Sequence, residues 1–197
     1  MIRNRIRAIL TMVFTVAAVA GCSSAPARFY TLDSTAVANG APPAQTAVLV
    51  GPVAVPATVD KPEFVVQVAS NRIEVEEFNR WAAPLDDSIA RAVAGDLSVL
   101  LASPNVTTAP LADFSPAYLV TINVQRFESV KGEAALLDAV WAVRCAADGK
   151  TLSGRTVARE VVQGEGFDAL AAAHSQALAK LSGDIAASIR TAASANT

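Results

Sequence analysis

A chain of 197 residues with two cysteines, one histidine and 6% aromatic side chains is short of the groups from which most active sites are built. Zinc sites draw on His and Cys, and one imidazole with two thiols cannot complete one unless carboxylates do nearly all the work. No acidic run has the spacing of a calcium loop. No serine lies in a nucleophile elbow, and the sole imidazole, His174, falls one helical turn from both Leu170 and Leu178, where packing explains it. Gly164-Glu165-Gly166 precedes a helical segment, but Ala169 stands at the third glycine of a dinucleotide fingerprint, so the segment reads as a loop. The adjacent acids Asp86 and Asp87 point in different directions and suit the positive end of a helix dipole better than acid–base work. The formal charge of −2 is well mixed along the chain and no basic face appears, which argues against nucleic acid as a partner. Neither catalysis, nor a metal, nor a dissociable cofactor is expected.

What is present begins at the N-terminus. Arg3, Arg5 and Arg7 precede an apolar run from Ala8 to Ala20 that is too short to span a hydrocarbon core of roughly 30 Å and has the form of a secretion signal. Val19-Ala20-Gly21-Cys22 closes it with the pattern of a bacterial lipoprotein cleavage box. Residues 1–21 are therefore expected to be removed, leaving covalent acyl chains, palmitate among them, on Cys22. At roughly 0.8 kcal/mol per buried CH2, three such chains anchor a protein permanently. Ser23 and Ser24 follow where an Asp would signal retention in the inner membrane, so the expected location is the outer membrane, facing the periplasm. The mature chain would have 176 residues and a charge of −5, enough for one domain. Cys145 is then the sole remaining cysteine. It alternates with Leu137, Ala139, Trp141 and Val143, which predicts a buried, inert thiol and no internal disulfide.

The organisation follows from composition and period. Residues 22–46 read as a lipidated N-terminus and a Ser/Ala/Gly/Pro linker, either a tether throughout or with residues 28–32 docked as an edge strand through Phe29, Tyr30 and Leu32, the arrangement that two consecutive aromatics favour. Residues 47–191 form a single domain and residues 192–197 a flexible tail. Val48 to Val55 predict a strand that Gly51-Pro52 breaks with a bulge or holds at an edge. Phe64, Val66 and Val68, a turn at Ser70-Asn71, then Ile73 and Val75 predict a hairpin. A helix starts at Pro84, buries Leu85, Ile89, Val93, Leu97, Leu100 and Leu101, and ends near Ser103-Pro104. Three long antiparallel strands follow, with turns at Lys131-Gly132 and Asp148-Gly149. Their second face carries Thr121, Asn123, Gln125, Asp138, Arg144, Arg155 and Arg159, and so is wet or meets a polar partner. An alanine-rich amphipathic helix from about Phe167 to Arg190 ends the fold.

Arg28-Phe29-Tyr30-Thr31-Leu32, Lys61-Pro62-Glu63, Asn71-Arg72-Ile73, Arg80-Trp81-Ala82-Ala83-Pro84-Leu85 and Leu137 to Trp141 together resemble the PqiC-like (paraquat-inducible protein C) family. Its members are auxiliary outer-membrane lipoproteins of ABC-type, MCE-linked intermembrane transport systems. Ala83 replaces a Glu and Lys61 an Arg of the usual pattern. The resemblance implies an α/β sandwich, with a mixed, largely antiparallel sheet of five or so strands and two long helices, similar to the amino-terminal domain of the Tol-system β-propeller protein. It also implies a homo-oligomeric ring that receives the far end of a periplasmic MCE protein and supports envelope integrity.

For the surface that meets a partner or a neighbouring subunit, the candidates are Phe29, Tyr30, Asn71, Arg72, Arg80 and Trp81, which combine planar donors with aromatics. The alternative for two of them is that Trp81 plugs the core and Arg80 covers it with its aliphatic stem. Two other functions compete with docking. One is a lipoprotein activator of a cell-wall synthase, the other a lipid-binding periplasmic carrier with its own apolar cavity.

Overall fold

A computed structural model describes residues 25–38, 40, 45–110 and 112–195. The expected signal segment, Cys22, part of the linker and the last two residues lie outside them.

The sheet is built around β6 (Tyr118–Val130). Tyr118, Val120, Ile122 and Val124 project into the core while Thr121 and Asn123 alternate to the other face. The register shifts between Val124 and Arg126, and this extra residue returns Phe127 and Ser129 to the core side. β7 (Ala134–Cys145) pairs antiparallel with the whole of β6, and β8 (Thr151–Val161) with β7. Gly132 and Gly149 close the two turns with φ of +69° and +71°, a conformation that favours glycine. Along the other edge of β6, β2 (Val48–Ala54) lies parallel to the first half, and β3 (Glu63–Ala69) to the last residues. The β2 register shifts between Val50 and Val53, at Gly51-Pro52, where the proline has no N–H to donate. β3 forms the hairpin with β4 (Arg72–Trp81), β1 (Arg28–Tyr30) pairs parallel with β4, and β5 (Val106–Thr107) pairs with β2. Eight strands stand where five or so were expected: β1 falls within the edge strand read at residues 28–32, and β5, with two residues, carries no readable period.

Both helices lie on the core face. α1 (Leu85–Leu100) packs on β2 and on α2 (Gly166–Ala195), which covers β7 and β8. Pro84 is the residue before the first helical turn of α1 rather than part of it. Residues 192–195, expected to be tail, continue α2: alanine favours the helix, and the Thr191 and Ser194 hydroxyls donate to the Ala187 and Arg190 carbonyls. Gly154 faces Trp141 across the β7–β8 pair, and a Cβ there would stand 2.4 Å from the indole, so the strand needs glycine for the ring to cross it. The indole N–H donates to Thr156 Oγ1 at 3.1 Å. Thr156 donates in turn to Asp184 of α2 at 2.5 Å.

Candidate partner-binding surface

The residues of the sequence pattern converge on one hub. Tyr30 of β1 meets Phe64 of β3 edge-on at 5.4 Å, and Phe64 stacks on Trp81 of β4 at 4.0 Å. Phe167 of α2 closes over Phe64 and Tyr30. The backbone N–H of Trp81 donates to the Pro62 carbonyl, and Arg80 pairs with Glu63 at 3.0 Å. Tyr30 and Trp81 are therefore core residues, 7% and 5% exposed, and cannot serve as surface contacts, because the rings that made them look like hot spots are consumed in joining β1, β3, β4 and α2. Arg80 alternates to the other side of β4, beside Phe29, and donates Nε–H to the Glu77 carbonyl, so it does not cover the hub. Phe29, Asn71 and Arg72 remain exposed.

Beneath the hub lies an arrangement that imitates catalysis. Ser129 Oγ and His174 Nε2 are 2.8 Å apart, like a nucleophile and its base. The ring of His174 stacks on Phe127 at 3.9 Å, and its Nδ1 has no hydrogen-bond partner, so no carboxylate orients it. Complete burial pushes its pKa down to about 3, which leaves a neutral imidazole too weak to take a serine proton. The pair is a buried core contact that leaves one imidazole nitrogen unpartnered.

Asp96 went unnoticed in the sequence and is fully buried. Its Oδ1 accepts from the Ser34 hydroxyl at 2.8 Å and from the N–H groups of Thr35 and Ala36 at 2.9 Å each. Its Oδ2 accepts from Ser182 of α2 at 3.0 Å. Asp33 N–H donates to Ser175 Oγ, so residues 33–36 form a strap laid across both helices. A Cβ on Gly95 would meet Ser34 Cβ at 2.8 Å, which lets the strap lie this close. The readable signal was a carboxylate three residues after Val93, on the stripe that Leu97 continues.

The face of the sheet away from the helices has no covering element among the described residues. Val140 and Val157 are 42% and 69% exposed there, and Val161 54%. Between them run the ion pairs Arg155–Asp138, Arg126–Glu128 and Arg159–Glu133. Asp138 is buried in spite of its outward position, because Arg155 clamps both oxygens at 2.8 and 2.6 Å, and this pairing holds its carboxyl below the usual range.

A family model described as "ABC-type transport auxiliary lipoprotein component" matches residues 30–186. The chain belongs to that family. The Asp96 strap, the hub and the open sheet of this auxiliary lipoprotein all fall within the matched region. Two solved structures share its fold. Protein XCC0632 from Xanthomonas campestris, of the family DUF330, is 21% identical, with 87% of this chain and 100% of that one covered at a TM-score of 0.70. A crystal structure of an uncharacterized protein is 22% identical over 84% and 99%, with a TM-score of 0.69. A search of curated proteins finds no match. Lipoprotein membership implies a membrane-anchored, periplasmic location, and an auxiliary component of a transporter implies a partner in transport; the family is not one of enzymes.

Proposed function

We propose that this lipoprotein is the outer-membrane-anchored docking component of an MCE-linked ABC-type intermembrane lipid transport system. Acyl chains on Cys22 hold it, copies of the chain assemble as a ring, and the ring receives the far end of a periplasmic MCE protein. The observation that carries this reading is the uncovered sheet face, where Val140, Val157 and Val161 stay exposed around clamped ion pairs. A lipid carrier would need interior space, whereas the layer between sheet and helices is filled by Phe64, Trp81, Phe127, Leu178 and Leu181. The test is affinity capture of the acylated full-length protein from envelopes that contain the MCE partner. Co-purification is expected, with a loss of about tenfold or more in Val140→Asp/Val157→Asp, as for a contact at the centre of an interface. Repeated capture without any MCE protein rejects the reading.

A further inference from the structure

A second surface remains, distinct from the open face of β7 and β8. Ile73, Val75 and Phe78 of β4 and Phe29 of β1 are 52%, 46%, 43% and 65% exposed. They share one side. Phe29 pairs in register with Arg80, and Phe78 is two residues from it, both opposite the buried Tyr30 and Trp81. Val75 and Ile73 pair with Val65 and Gln67, opposite the buried Phe64 and Val66. Glu74 and Glu76 alternate to the other side, and Glu76 is paired with Lys131. The result is an apolar stripe holding the two most exposed aromatic rings among the described residues, of the kind that marks an interaction site.

What covers it follows from the course of the chain. β1 runs parallel to β4, away from the hairpin tip at Ser70-Asn71, so the polypeptide enters the domain from the tip side. Arg28 is the first residue of β1 and Cys22 lies six residues before it. Even fully extended, those residues reach roughly 20 Å. An anchor at Cys22 thus keeps Phe29 and the hairpin close to the lipid headgroups, with Arg28 and Arg72 exposed at either end of the stripe. We infer that Phe29, Ile73, Val75 and Phe78 rest on the bilayer interface and fix the orientation of the domain on its membrane. Aromatic rings favour that zone, and apolar side chains enter it to about 5–10 Å. The inference rests on the proposed acylation of Cys22, and its test separates the two.

The acylated full-length protein, with V75C or F78C carrying an environment-sensitive dye, is reconstituted in phosphatidylethanolamine and phosphatidylglycerol vesicles with and without spin-labelled acyl chains. A control dye goes on D148C in the β7–β8 turn, at the opposite end of β6 and roughly 30 Å from Val75 along that strand. Mass spectrometry of the same sample reads the state of Cys22. Quenching of about twofold or more at positions 75 and 78, with none at 148, is expected. A blue-shifted but unquenched dye means that a second copy occupies the stripe, and a solvent-exposed dye means that nothing does; either overturns the inference while leaving acylation intact. An unmodified Cys22 overturns both.

Discussion

Asp96 concentrates more hydrogen bonds than any other side chain described, and they come from two places at once: three from the strap and one from α2. Asp96→Ala leaves two backbone N–H groups and the Ser34 hydroxyl without their acceptor, while Ser182 keeps the Leu178 carbonyl, so a loss of about 2–4 kcal/mol is expected in urea denaturation, together with early proteolysis in residues 33–36. Gly154→Val drives two methyl groups into Trp141; a loss of about 1–3 kcal/mol is expected, and a second change, Trp141→Leu, should restore part of it. His174 sets the response to acid. Its folded pKa of about 3 lies below the ordinary 6.5, so the native state refuses a proton that the unfolded chain accepts between those values. Its contribution is complete above about pH 6.5 and declines as pH falls, by up to about 1.4 kcal/mol per unit. The lowered carboxyl of Asp138 has the same sign but acts only below the ordinary carboxylate pKa, where losing the Arg155 clamp adds to the decline. Melting temperatures of wild type and His174→Gln between pH 7 and 4.5 check this: the variant should melt with a flatter pH dependence.

Elements with a strong period were open to reading before any coordinates. The β3–β4 hairpin, the β6–β8 meander and both helices announced themselves through alternation, Asp-Gly and Lys-Gly turns and 3.6-residue stripes. The strap did not, because Thr35 and Ala36 are bound through backbone N–H groups that no side-chain pattern encodes, and the Ser34 hydroxyl sits in a stretch with no period. β5 escaped for want of length. Trp81 was ambiguous for a different reason: the aromatic and arginine pattern of an interface hot spot is also that of a core plug with a charged cover, and only the placement of Phe64 beneath it decides. The wet second face of the sheet was legible, yet Asp138 showed that an outward position need not be exposed when an arginine from the next strand closes over it. β1 depends on Tyr30, so Tyr30→Ala should release the edge strand: faster amide exchange in residues 28–36 is expected with little change in β6 to β8.

Taken whole, the molecule is asymmetric in a way that suits an anchored adaptor. One face of the sheet is buried under two helices, and on the other Val140, Val157 and Val161 stay exposed. The chain enters β1 from the hairpin end, and the strap then ties the segment that follows to the helical layer. No helix of the described residues is long and apolar enough to cross a membrane. Attachment through Cys22 would leave the domain a reach of roughly 20 Å, short enough to limit which surfaces can face the bilayer and which the periplasm. In-cell crosslinking from a photoreactive residue at position 157, on the acylated protein in intact envelopes, tests the docking role most directly. A crosslinked species containing an MCE protein, absent when the residue is placed at the buried position 178, is expected; crosslinks confined to cell-wall synthases, or none to any transport component, would contradict it.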